Sequence, residues 1–421
     1  MTRTTYRARW LMPVTAPPIE NGLIVVEDGL LASIAHADPN ERADVDFHDA
    51  VVMPGFVNAH THLELSFCQG SVPFQGSFVQ WVENLVALCR QATSPDQLTD
   101  ALQVGLQCSL DAGVTLVGDI GYGLRSIGGW RNAPIGVVGF LEVLGMGPRR
   151  FSSHDQSFER LRALCDETVV SDRFRVGLSP HAPYSVDATV IRDIVAYAKT
   201  AHRPIAMHLA ETLDEVRFLA QGDGPFRDLL ERWGLWDGSF EVPRCLPVEY
   251  AERVGLLECR PVLCHVNYAT DHELDLLARY RSHVVYCPRS HAFFRHDTHP
   301  WRDMLDRGIN VCVGTDSLAS NQTLSVLDEL RFLFRQNPDI NPDRLIAMGT
   351  IAGARALGCG KFAGSLEVGK AADWVVVPLA DTDTSLPAVN VLACDAKPAA
   401  VYRAGEPVFV DGSRGRSYDR N

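Results

Sequence analysis

Between residues 55 and 316, short apolar runs alternate with longer amphipathic segments, and this alternation limits what the chain can fold into more than any other feature. The runs are GFVNAH (55–60), VTLVGDI (114–120), IGVVGFLEV (135–143), FRVGLSP (174–180), PIAMHLA (204–210), PVLCHV (261–266), HVVYCP (283–288) and NVCVGTD (310–316). Segments such as DQLTDALQVGLQCSLDAG, SVDATVIRDIVAYAKTAH and HPWRDMLDRG lie between them and carry apolar residues at helical spacing. Strands apolar on both faces and separated by helices belong to a parallel sheet, because a crossover must return the chain before a parallel neighbour can start. Eight of them predict an α/β fold, a (β/α)8 TIM-type barrel, rather than an open sheet.

The two ends read differently. NGLIVVEDGLLASIAHA and AVVMPGFVNAH near the start, and SLEVGKAADWVVVPL and PAAVYRAGEPVFVDG near the end, are short strand-like runs around Gly-containing turns. Both termini are therefore expected to build one small β-sandwich domain from residues 1–53 and 360–421, with the barrel spanning 54–359.

Composition removes several classes of function. The formal charge of −13 argues against a polyanionic partner such as nucleic acid, and lysine occurs only at 199, 361, 370 and 397. No apolar stretch is long enough to span a bilayer, and the N-terminus lacks the apolar core of a secretory signal, so a cytoplasmic location is expected, with no membrane partner. The eleven cysteines are dispersed without CxxC spacing and read as reduced, packed thiols. A small-molecule substrate fits this composition, and a homodimer is the expected assembly.

In such barrels chemistry sits at the C-terminal ends of the strands. Polar residues recur there: His60 and His62 after the first run, His208 in the fifth, His265 in the sixth and Asp316 in the eighth. Residues two apart on an extended chain point to the same side, so the imidazoles of HTH can reach one ion. Burying two such groups without partners would cost on the order of a few kcal/mol, which a shared cation removes. Three imidazoles and one carboxylate, from His60, His62, His208 and Asp316, suit Zn²⁺ and also Fe²⁺. Such an ion brings the pKa of a bound water down toward about 7, and Asp316 can accept that water's proton. Glu211, three residues past His208, is placed to shuttle protons, although an acid there also suits a helix N-terminus. His265 either joins the metal or polarises the nucleophile from beside it. His181, in SPHAPYS, faces the same mouth as a substrate contact. His291, His296 and His299 form either a pocket wall or a solvated loop.

PGFVNAHTHLELS, SPHAPYS, HLAETLDEV, YCPRSH and GTDSLASN together resemble the amidohydrolase superfamily, in its cytosine-deaminase-like branch with one catalytic metal. The resemblance covers nearly the whole chain, and GSLEVGKAADWVVV resembles the branch's return to its small β-domain. It implies His60, His62, His208 and Asp316 as ligands, Glu211 as proton shuttle and His265 as the polarising histidine. Relatives with two metals bridge them through a strand-four lysine; FRVGLSP has none, which agrees with a single ion. Within the branch the chain is most similar to aminodeoxyfutalosine deaminases and to deaminases of adenosine, methylthioadenosine and S-adenosylhomocysteine. The implied reaction is hydrolytic removal of the 6-amino group of an adenine-type nucleoside. The alternatives are another small heterocycle (a triazine, guanine, cytosine or a cyclic amide) and a catalytically silent scaffold. Arg90 stands about where the methylthioadenosine-type enzymes place a ribose-binding glutamate, and is expected to meet a substrate carboxylate. Trp81 is expected to cover the base or simply to pack.

Overall fold

A computed structural model of the chain describes residues 2–38, 41–91, 95–151, 155–380 and 386–411. Five strands open it: β1 (Arg3–Leu11), β2 (Ile19–Glu27), β3 (Leu30–His36), β4 (Val45–Asp46) and β5 (Ala50–Pro54). Eight follow: β6 (Phe56–Thr61), β7 (Val114–Gly121), β8 (Gly136–Val143), β9 (Phe174–Pro180), β10 (Ala206–Leu209), β11 (Val262–His265), β12 (His283–Tyr286) and β13 (Asn310–Val313). β14 (Trp374–Pro378), β15 (Ala400–Arg403) and β16 (Glu406–Val410) complete the set.

Every one of the eight apolar runs forms a strand, and at least one helix lies between each consecutive pair. The helix Ala188–Ala201 shows why the intervening segments fold this way. Asp187 caps its first turn by accepting from the Thr189 N–H, a bond generally worth about 1 kcal/mol. Val190, Ile191, Ile194, Val195 and Ala198 then share one buried face, and the chain leaves through His202 at a φ of 52°.

The eight central strands are all parallel and pair as β6–β7–β8–β9 and β10–β11–β12–β13. Backbone contacts cross both seams between these quartets. On one side Leu178 bridges Ile205 in parallel and the His208 N–H donates to the His181 carbonyl at 3.0 Å. On the other, the Thr315 and Asp316 N–H groups both donate to the His60 carbonyl at 3.1 Å. Gly314 makes that second approach: a Cβ there would stand 2.8 Å from the His60 carbonyl oxygen and 2.9 Å from His60 Cβ.

The terminal strands form one sheet in the order β16–β15–β14–β5–β1–β2–β3, with β4 beside β1. The expected sandwich thus takes the form of one continuous hydrogen-bonded sheet built from both ends of the chain. Residues 412–421, within the expected C-terminal share, lie outside the described residues. Alternation along its strands serves two cores. Ala50, Val52, Trp374 and Val376 join Tyr6, Phe47 and Tyr402 on one face, where the Tyr6 ring lies 4.9 Å from Trp374. Val51, Met53, Val375 and Val377 face the main core of the central strands. Among the described residues no helix is long and apolar enough to cross a membrane.

Candidate metal centre and active site

His60 lies within β6, Thr61 ends that strand, and His62 opens the 3-10 turn Leu63–Cys68. The turn is fixed by a carboxylate from the neighbouring strand. Asp119 of β7 accepts from the Leu63 N–H at 2.8 Å and from the Trp130 indole N–H at 2.6 Å. His208 sits in β10, His265 ends β11, and Asp316 follows β13 by three residues in the left-handed region, at a φ of 56°.

These residues converge. His60 Nε2 and His62 Nε2 lie 3.8 and 3.9 Å from Asp316 Oδ1, and His62 Nε2 lies 3.1 Å from His208 Nε2. One ring nitrogen each from His60, His208 and His265 also falls within 4.8 Å of the others. The second oxygen of Asp316 is already engaged, because the hydroxyls of Ser290 and Ser320 each donate to Oδ2 at 2.7 Å. Oδ1 accepts the Ser317 N–H at 2.7 Å and is the oxygen turned toward the imidazoles.

The donor set fits a divalent metal. The Nδ1–H of His208 donates to the His181 carbonyl at 3.0 Å, which leaves its Nε2 as a bare lone pair facing His62. His60 Nε2 and His62 Nδ1 are buried with no hydrogen-bond partner. A tetrahedral ion with bonds of about 2.0–2.1 Å sets nitrogen ligands about 3.3 Å apart, close to the His62–His208 separation. Burial, aided by the neighbouring histidines, holds His60 well below the usual imidazole range, and burial brings His62 down to about 4. Burial lowers His208 as well, so all three are the neutral ligands a cation requires.

Glu211 and His265 stand beside this cluster, with Glu211 Oε1 3.6 Å from His265 Nε2. Burial, then the proximity of Asp316 and Glu215, pushes the Glu211 carboxyl well above the usual range. Burial also works upward on Asp316, but His265, His62 and the two serine hydroxyls outweigh it and keep this carboxylate below its usual value. Two carboxyls whose surroundings push them apart in this way can divide the work of acid and base.

The backbone here is held in conformations it would not choose. Ala210, His265, Val266 and Asp316 have φ values of 50°, 72°, 53° and 56°. Such residues generally cost about 1–3 kcal/mol each and persist only where their surroundings over-determine them. Glu215 supplies part of that restraint: its carboxylate accepts the N–H groups of Ala210 and Glu211 at 2.8 and 2.9 Å. The Asn267 amide donates to the Glu211 carbonyl at 2.9 Å, and His299 Nε2–H donates to the His265 carbonyl at 2.8 Å.

His181 lies one residue past β9, its ring 4.9 Å from that of His208. Trp81 is buried, its indole N–H donates to the Val72 carbonyl at 2.9 Å, and its ring meets Phe294 edge-on at 4.8 Å. Arg90 is exposed in the last turn of the helix Phe78–Gln91, with its guanidinium 5.9 Å above the Trp233 ring, and is not among the residues that converge on the histidines. His291, His296 and His299 gather behind His265, with ring centres 5.3 and 5.8 Å apart along the group. Asp119, Glu142, Glu215, Ser290 and Ser320 were not anticipated. Asp119 and Glu142 did leave a signal, since each is a lone acid near the C-terminal end of an otherwise apolar run.

A family model described as the amidohydrolase family matches residues 51–408. An aminodeoxyfutalosine deaminase of Deinococcus radiodurans is 30% identical over 356 residues, covering 80% of this chain and 81% of that protein. A 5-methylthioadenosine/S-adenosylhomocysteine deaminase of Thermoanaerobacter pseudethanolicus is 26% identical, covering 86% and 82% respectively. The crystal structure of a Xanthomonas campestris adenosine deaminase with bound zinc superposes with a TM-score of 0.80 at 23% identity, covering 96% of this chain and 92% of that one.

Proposed function

The chain belongs to the amidohydrolase family, and from that premise we propose that it is a metal-dependent deaminase of an adenine-type nucleoside, with aminodeoxyfutalosine as the leading substrate. The observation that carries this reading is the pairing of two constellations. His60, His62 and His208 meet Asp316 Oδ1, and the Glu211–His265 pair stands next to them at 3.6 Å. The names of the Deinococcus and Thermoanaerobacter relatives support the substrate class. We also read the two quartets of strands, joined across both seams, as one closed (β/α)8 barrel spanning 54–359, with 1–53 and 360–421 forming the second domain.

His60, His62, His208 and Asp316 would hold one ion, zinc before iron given three imidazoles and one carboxylate. When bound, the ion supplies Lewis-acid polarisation and a water acidic enough to attack near neutral pH. Asp316, the more acidic of the two carboxyls, takes a proton from the attacking water. Glu211, the less acidic, gives its proton to the ring nitrogen beside the reacting carbon and regains one from the hydroxyl of the adduct as it collapses, while Asp316 passes the water's first proton to the departing amine. His265, within reach of Glu211, hydrogen-bonds the attacking oxygen and steadies the charge that develops on it. Loss of ammonia leaves the hypoxanthine-type product. His181 contacts the substrate from the end of β9, and Trp81 backs the base through the aromatic group it shares with Phe294. Arg90 is exposed and offered to a substrate carboxylate at the rim. The reading carries with it a homodimer in the cytoplasm.

The test is ammonia release by zinc- and iron-loaded protein from aminodeoxyfutalosine, adenosine, methylthioadenosine, guanine, cytosine and aminotriazines. Release from the adenine nucleosides alone is expected. Turnover confined to the other heterocycles, or no metal bound at near-unit occupancy, would sink it.

A further inference from the structure

In the β6–β9 quartet, Glu142 is the only charged side chain in β8, and it is 4% exposed. One carboxylate oxygen, Oε2, receives a long bond of 3.4 Å from the Gln156 amide, and the Tyr122 hydroxyl also reaches the group. The other oxygen, Oε1, stands 4.0 Å from His181 Nε2. That separation is too long for a hydrogen bond.

The other nitrogen of His181 is already engaged. Nδ1 lies 2.7 Å from Ser185 Oγ, a hydroxyl that also lies 3.1 Å from the Ala182 carbonyl. Nε2 is therefore the nitrogen left to face Glu142. Oε1 and Nε2 face each other across a 4.0 Å gap that a third group can bridge. A ring nitrogen of His208 lies within 4.8 Å of both, which puts the gap beside the metal histidines. A second cation is a poor occupant. His208 has one nitrogen on the His181 carbonyl and the other facing His62, so only two free ligands remain. A hydroxyl suits the gap better, because it donates and accepts and so satisfies the pair whichever member holds a proton.

We propose that Glu142, with His181 beside it, reads a sugar hydroxyl of the nucleoside and is a specificity-determining residue of the site. The inference rests on the nucleoside reading above and adds to it a recognition point for the ribose. An adenine ring presents acceptors and an amine toward the metal, whereas its ribose is the part that carries hydroxyls.

The test compares adenosine with 2′-deoxy-, 3′-deoxy- and 2′,3′-dideoxyadenosine on metal-loaded wild type, Glu142→Gln and Glu142→Ala. In wild type, loss of one particular hydroxyl should lower kcat/KM about 10- to 100-fold, mainly through KM. Glu142→Ala should lower kcat/KM for adenosine by a similar factor yet leave that for the responsive deoxy analogue unchanged, with Glu142→Gln in between. The proposal is overturned if wild type treats adenosine and dideoxyadenosine alike, or if both variants penalise every analogue equally, as a merely structural residue would. Deamination of adenosine in either case leaves the nucleoside reading standing. Absence of turnover on all four nucleosides and on aminodeoxyfutalosine sinks both.

Discussion

The hydroxyls of Ser290 and Ser320 offer the sharpest handle on the metal centre. Both donate to Asp316 Oδ2 at 2.7 Å from positions 26 and 4 residues away, and their own oxygens are 2.9 Å apart. They fix the rotation of a carboxylate whose other oxygen must meet His60 and His62. A hydrogen bond to a charged group contributes about 1.5–3 kcal/mol. A single Ser→Ala change leaves one hydroxyl on the same oxygen, so the lower figure applies, about 1.5 kcal/mol, or roughly tenfold in metal affinity. The double variant removes both hydroxyls from a buried carboxylate oxygen, Ser290 and Ser320 each being 1% exposed, and about 3–5 kcal/mol corresponds to more than about a hundredfold. Zinc or cobalt dissociation constants, read by competition with a chromogenic chelator, test this directly, with circular dichroism to verify folding. Steady-state kcat/KM on adenosine should fall in parallel. Should the double variant bind metal and turn over within about twofold of wild type, the restraint assigned to these serines is wrong.

Glu211→Gln should keep the metal but lose about a hundredfold or more in kcat, checked by metal analysis beside kinetics; unchanged kcat would remove Glu211 from proton transfer. Zinc should raise the Tm of metal-free protein, since a ligand at a hundred times its Kd adds about 2.7 kcal/mol, and His62→Ala should abolish the rise in a differential scan. Asp119→Ala, which frees the Leu63 N–H and the Trp130 indole, should cost more than about 2 kcal/mol in urea unfolding and weaken zinc binding as well. Arg90→Ala should raise KM for a carboxylated nucleoside more than for adenosine, and equal effects would disconnect Arg90 from the substrate.

The sequence announced most of the central architecture because its strands are buried on both faces and punctuated by amphipathic helices. Those periodicities are local and need no knowledge of neighbours. The side chains that converge were legible for the same reason, as polar residues stranded at the ends of apolar runs. Boundaries were less so: the eighth strand stops at Val313, because the backbone must turn through Gly314 to approach His60 and then place Asp316 at positive φ. What aims these side chains was not readable. Ser290 and Ser320 look like ordinary helix-start residues until β12 and β13 bring them to one carboxylate. Glu215 looks like a first-turn acid until its carboxylate is found gripping two N–H groups upstream. The terminal sheet showed its strands but not its pairing, since nothing local says that β14 will lie against β5.

That pairing has a consequence for how the polypeptide is made. β5 sits between β1 and β14, and β14 leaves the ribosome more than three hundred residues after β5. Until then β5 presents an open edge, Ala50 to Pro54, apolar on both faces and ready to pair with any extended strand nearby. Nascent molecules on one message hold this template at close quarters, so aggregation during translation should be most acute before β14 emerges. Expressing β14–β16 as a separate peptide alongside the growing chain would shorten that exposure.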